Sequence, residues 1–127
     1  MRVLVLKDGT FLPKEIKTNL EALQKEVGGY IEIPYLIPKL HEEKIDIVIN
    51  EDGKSIKGMK PTLTITKIDG TILDVIYGPC IFTSHDGKGN TIGLNEYQCN
   101  VVKEVLKKEA FLTIRNTGSY IVRVAIV

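Results

Sequence analysis

Three Asp-Gly pairs, Asp8-Gly9, Asp52-Gly53 and Asp69-Gly70, stand between runs in which apolar and polar residues alternate, and these pairs limit the fold more than any other feature. A tight hairpin turn needs positive φ at its central positions, which Gly adopts freely and Asp tolerates. The first pair predicts a hairpin of strands over 2–7 and 10–16. Pro13 cannot donate to a ladder, so the second of these strands belongs at an edge or a bulge. The third pair predicts a hairpin of strands over 62–67 and 71–77, whose Thr, Ile and Leu suit a pleated surface. Asp52-Gly53 reads as a turn of the same kind after a strand over 45–50. Gly78-Pro79 bends the chain into a strand over 80–84, and residues 86–90 form a glycine-rich connector. A last pair of strands, 111–115 and 120–127, flanks Asn116-Thr117-Gly118-Ser119 and ties the C-terminus into a sheet.

Two segments break this pattern toward helical spacing. Thr18 and Glu21 have the spacing of a capping box, Leu20, Leu23 and Val27 follow at helical intervals, and Gly28-Gly29 is a stop, which predicts a helix over 19–27. Asn95 caps a second helix over 95–108, with Tyr97, Val101, Val105 and Leu106 on one stripe and Lys103, Lys107 and Lys108 toward its carboxyl end. Between them, Pro34, Pro38 and His41-Glu42-Glu43-Lys44 predict an irregular connection. The fold class is therefore α+β, a mainly antiparallel sheet built from hairpins and packed against two helices. At 127 residues, 43% of them hydrophobic, one domain over 1–127 is expected, with a C-terminal hairpin at about 110–127. Its core should include Val3, Val5, Leu20, Leu23, Val27, Ile47, Ile49, Val75, Val101 and Val105.

Several function classes are disfavoured. Seventeen basic residues against 16 acidic ones leave no net field that would favour nucleic acid or an acidic membrane. The apolar run at 1–6 is too short for a secretory signal, and the longest uncharged run, 75–84, is short of the ~20 apolar residues that cross a bilayer. Cys80 and Cys99 have no neighbouring Cys or His, so they read as free thiols of a reducing cytoplasm. Asp46, Glu51, Asp52, Asp69 and Asp74 match no calcium-loop or glycosidase spacing, and no metal or cofactor is expected.

The remaining chemistry is sparse. Ser84-His85-Asp86 has the residue types of a hydrolytic triad, but consecutive residues of a strand end point in alternating directions, whereas a triad converges from separate elements. His41 reads as an exposed loop histidine beside Glu42 and Glu43. Phe11, Phe82 and Phe111 are expected in the core, and the tyrosines at 30, 35, 77, 97 and 120 at its wet edge. Residues 87–90 lack the longer glycine loop and trailing Lys-Ser/Thr of a P-loop, yet backbone amides in such a turn can cradle an anion. The candidate ligand site is accordingly His85, Gly87, Lys88, Gly89 and Asn90. The candidate protein contact is Tyr35, Leu36 and Ile37, apolar residues in a segment that would ordinarily be polar.

Three stretches carry a family resemblance. Leu20-Glu21-Ala22-Leu23-Gln24 followed by Val27-Gly28-Gly29-Tyr30-Ile31-Glu32, then Asn50-Glu51-Asp52-Gly53-Lys54 with Gly58, and Asp74-Val75-Ile76-Tyr77-Gly78 with Phe82 resemble the family catalogued as domain of unknown function 3846. The likeness spans roughly residues 1–108, and the final hairpin reads as an addition. Thr62-Leu63 stands where members of that family often carry an Asn-Arg pair, so no role of that pair carries over. The resemblance implies a setting in phages, prophages and plasmids, and it carries over no catalytic residues. Two functions are then expected. The first is a non-enzymatic accessory protein of a phage or mobile element, in the cytoplasm of a bacterial host, that binds a host protein, including in counter-defence, or self-associates. The alternative is a protein that binds or sequesters an anionic small molecule such as a nucleotide signal.

Overall fold

Asp8 and Gly9 both take left-handed backbone, φ 49° and 72°, and fold β1 (Arg2–Lys7) onto β2 (Thr10–Glu15) in an antiparallel hairpin. The computed structural model describes the backbone of residues 1–114 and 120–126 and the side chains of residues 1–106 and 122–124. After the hairpin come α1 (Leu20–Val27), β3 (Ile31–Glu32), α2 (Pro38–Glu42), β4 (Ile45–Asn50), β5 (Pro61–Lys67), β6 (Ile72–Tyr77), β7 (Cys80–His85), β8 (Thr91–Ile92), α3 (Glu96–Glu109), β9 (Ala110–Ile114) and β10 (Tyr120–Ile126). The protein is α+β and mainly antiparallel. The four-residue turn expected at Asn116-Thr117-Gly118-Ser119, and the side chains of Phe111 and Tyr120, lie outside the described residues.

The hairpins assemble into two sheets rather than the single one expected. Among the described residues, one sheet has the order β2-β1-β7-β4-β3, with β8 added to β7, and every pairing in it is antiparallel. The other has the order β6-β5-β10-β9 and contains one parallel pair, β5 with β10. The C-terminal hairpin is thus part of a sheet, seated beside β5. Pro13 lies on the edge strand β2, where its missing N–H breaks no ladder.

Side-chain alternation divides the first sheet's residues between two packed cores. Val3 and Val5 on β1, Val48 on β4 and Ile81 on β7 pack with Leu23 and Val27 of α1. Their alternates, Leu4, Leu6, Ile45, Ile47, Ile49, Cys80 and Phe82, pack with the second sheet and with α2 and α3. The central strands of this sheet are therefore buried on both faces, and each large apolar side chain so buried stabilises the fold by roughly 1.5–3 kcal/mol. No helix among the described residues is long and apolar enough to cross a membrane.

Some expectations need correction. Asn19, not Thr18, caps α1, its side chain accepting from the Ala22 N–H at 2.8 Å. Leu20 is then the first helical residue, and it lies outside the core, 54% exposed. Among the described side chains of α3 the buried residues are Gln98, Cys99, Val102 and Leu106; Tyr97 is exposed, and Val101 and Val105 are half-buried. The phase follows from a reciprocal cap in which the Asn95 N–H donates to Gln98 Oε1 and the Gln98 N–H to Asn95 Oδ1. Val75 is half-buried because β6 is an edge strand. The segment expected to be irregular holds α2, started by Pro38 at a first-turn position that suits proline, and anchored by buried Ile37 and Leu40.

Candidate functional site

The family-like stretches, distant in sequence, meet at one place. α1 ends where Gly28 turns left-handed, φ 80°, and the chain passes Gly29 into β3. Asn50, at the end of β4 and buried, fastens this corner: its Nδ2 donates to the Val27 carbonyl at 3.0 Å, and its Oδ1 accepts from the Asp52 N–H at 2.8 Å. A Cβ on Gly29 would stand 2.9 Å from Asn50 Nδ2, closer than side chains pack. The Glu51 N–H donates to the Tyr30 carbonyl at 2.9 Å.

Asp52-Gly53 is not a hairpin turn. Neither residue has positive φ, and Gly53 opens a 3-10 turn over Gly53–Ser55 because β4 and β5, on either side of it, belong to different sheets. The glycine is needed for another reason: a Cβ there would lie 2.5 Å from the Tyr77 carbonyl oxygen, so only glycine lets this turn press against β6.

Between the edge strands β3 and β6, over this turn, lies an open cleft of about 290 Å³. Its walls carry Glu32, Glu51, Asp52 and Asp74 against Lys54. Lys54 Nζ sits 2.6 Å from Asp74 Oδ1, and the hydrogen bond and charge of Asp74 hold the ammonium above its ordinary range. Asp74 Oδ1 also accepts from the Val75 N–H, 2.8 Å away on the same edge strand. The cleft therefore combines negative charge with two sheet edges. Tyr30 and Ile33 flank β3, Ile72 and Leu73 begin β6, and all four are exposed.

The expected anion cradle at 87–90 is already filled by the chain itself. The Asp86 carboxylate accepts from the Lys88 N–H at 2.9 Å, the Asn90 N–H at 2.9 Å and Asn90 Nδ2 at 3.1 Å, while the Gly89 N–H donates to the Asp86 carbonyl. These bonds, those from Asn90 foremost, hold the Asp86 carboxyl below its usual range. The Lys88, Gly89 and Asn90 amides are thus taken by Asp86 and are not open to an external anion. Gly89 serves the turn, with φ 83°.

His85 has a different neighbourhood from the one expected. Its Nδ1 lies 2.9 Å from Asp46 Oδ2; a carboxylate only accepts, so the proton of this bond is on Nδ1. Its ring centroid is 6.3 Å from that of His41, which meets Tyr35 edge-on at 4.5 Å. Both histidines of the chain and Tyr35 are thus brought together by β7, α2 and the segment before it. Of the expected protein contact, Tyr35 is 64% exposed, Leu36 is half-buried, and Ile37, 3% exposed, faces the core instead, because it starts α2 and packs with Leu40.

The nucleophiles are disarmed. Ser84 Oγ donates to the Lys44 carbonyl at 2.9 Å and accepts from Gln98 Nε2 at 2.8 Å, and the residue is buried. Burial pushes the Cys80 thiol up to about 12, and Cys99 is also buried. No cluster of His, Cys, Asp and Glu among the described residues is arranged to hold a metal ion. The residues of the cleft come from separate stretches of the sequence, and no local signal there announces that they meet or that Asp46 is the partner of His85. The Asp46–Thr83 register of β4 and β7 sets that pair on one diagonal.

No curated protein and no solved structure matches the chain. A family model does match, over residues 1–107, which takes in every cleft segment and both histidines and stops short of β9 and β10. The chain belongs to the family described as Domain of unknown function (DUF3846).

Proposed function

We propose that this chain is a non-enzymatic accessory protein of a phage or other mobile element, acting in the cytoplasm of a bacterial host by binding a host protein, with counter-defence as its setting. The supporting observation is the cleft between β3 and β6, where the family-like segments converge on two edge strands and four carboxylates. A partner segment that fits there is extended and basic, with apolar residues on either side. It pairs its backbone with a sheet edge, its Lys or Arg side chains with Glu51 and Asp52, and its apolar residues with Tyr30, Ile33, Ile72 and Leu73. Exposed ion pairs contribute only about 0.2–1 kcal/mol each, so the carboxylates mainly steer and select, and the exposed apolar flanks supply the affinity.

The test is capture from a bacterial host. The tagged protein, expressed there and purified gently, should retain a host protein identified by mass spectrometry. Glu51→Lys with Asp52→Lys, both at exposed positions, should release it while the unfolding midpoint stays within a few degrees. A partner retained by that variant at undiminished yield would remove the cleft from the interface.

A further inference from the structure

His41 and His85 are the chain's only histidines, and the fold places them together from α2 and β7. Their rings are 6.3 Å apart, centroid to centroid, too far to hydrogen-bond each other. The separation suits two hydrogen bonds of about 2.8 Å donated to oxygens of one tetrahedral anion. Each ring is braced from behind. Asp46 holds His85 through Nδ1 at 2.9 Å, which leaves Nε2 as the free nitrogen, and Tyr35 holds His41 edge-on at 4.5 Å. His85 is 28% exposed at its side chain, His41 is exposed, and the rest of the Tyr35 ring is open to solvent.

We propose that His41 and His85 together bind the phosphoryl group of a small anionic compound. The site goes beyond the protein-binding reading and does not depend on it. Two imidazolium rings this close repel one another unless negative charge lies between them, and a phosphoryl group supplies it. Charged groups near the pair include Asp46 on β4, Asp86 just after His85, and Lys39, Glu42, Glu43 and Lys44 around His41 in sequence. Asp46 engages Nδ1 of His85, and the Asp86 carboxylate, bonded within its own loop, lies within electrostatic reach of His85. Ser84, the adjacent hydroxyl, is buried and doubly bonded, so the pair does not serve it as a general base. Tyr35 separates two sources of the phosphoryl group: its open face would stack the base of a nucleotide, and would add nothing for free phosphate.

Imidazole resonances of the ¹⁵N-labelled full chain, followed during titration with inorganic phosphate and with adenosine 5′-monophosphate, test this. Both histidines should shift together with one saturation curve, and the affinity should fall as the pH is raised, because a neutral His85 ring that donates from Nδ1 to Asp46 has no proton on Nε2 to give an anion. His41→Asn, at an exposed position, should abolish the phosphate response of His85 while leaving the unfolding midpoint unchanged. Tighter binding of the nucleotide, lost in Tyr35→Ala, supports the site and identifies a nucleotide as its ligand. Equal affinities support it and identify a phosphoryl group without a stacked ring. The proposal is overturned by the absence of any shift at millimolar phosphate, by a shift of one histidine alone, by an unchanged His85 response in His41→Asn, or by a response to Zn²⁺ in place of phosphate.

Discussion

Asn50→Ala is the substitution that most directly probes how the cleft is built. The side chain makes two hydrogen bonds, one to the buried carbonyl that ends α1 and one from the Asp52 N–H that starts the 3-10 turn. Alanine leaves the Val27 carbonyl without its donor in a place water does not reach, which costs about 1–3 kcal/mol. The Asp52 N–H is half-buried and regains water, so its loss adds about 0.5–1 kcal/mol. The expected total is about 1.5–4 kcal/mol. In urea unfolding at 25 °C, with a slope of about 2 kcal/mol per molar, the midpoint should fall by about 0.8–2 M with the slope unchanged. Glu51→Ala, one residue on and exposed, is the control and should change stability by less than about 0.5 kcal/mol. Asn50→Ala within that same small margin would mean that the corner between α1, β4 and the turn is held by something else, and the account of the cleft would fail with it.

Other outcomes follow from the same reasoning. Leu23→Ala should cost about 2–4 kcal/mol by urea unfolding and Leu20→Ala less than about 1, since only the first is buried; equal costs would contradict the α1 packing. The Asp86 carboxyl, with its folded pKa depressed, contributes stability above its unfolded value near 3.8 that is lost as pH falls through the folded value. An NMR titration should therefore place its midpoint below 3.8, and Asp86→Asn should speed exchange of the Lys88 and Asn90 amides at neutral pH. A midpoint at or above 3.8 would mean the loop does not cradle its own carboxylate. With Cys99→Ser as background, Cys80 should resist a thiol reagent at pH 7 until urea unfolds the chain, because a thiol pushed up to about 12 and sealed from solvent supplies almost no thiolate; prompt labelling of the native protein would contradict its burial.

Much of the fold could be read wherever the determining chemistry is local. Asp8-Gly9 and Asp69-Gly70 join strands that pair with each other, so the turn residues announce the hairpins directly. Asp52-Gly53 carries the same signal and means something else, because β4 and β5 go to separate sheets, and sheet membership is decided by contacts far apart in sequence. The helices were legible as helices, but their phases depended on a single cap: Asn19 in place of Thr18 turned Leu20 outward, and the Asn95–Gln98 reciprocal bond turned Tyr97 outward. The candidate sites show the same division. Gly87 to Asn90 has the composition of an anion cradle, yet composition does not reveal that Asp86 already occupies it. His41 and His85 lie far apart in sequence, and only the packing of α2 on β4, the strand paired with β7, makes them a pair.

The central claim is that the cleft between β3 and β6 is the partner-binding surface, and hydrogen-exchange mass spectrometry of the chain with its captured host protein tests it most directly. Exposed edge amides exchange quickly in the free protein, and a paired partner strand slows them. Added protection concentrated in residues 31–33, 50–55 and 72–77 is the predicted result. Protection confined to the outer face of α1, at Glu21 and Lys25, with 50–55 and 72–77 exchanging as in the free chain, would contradict it.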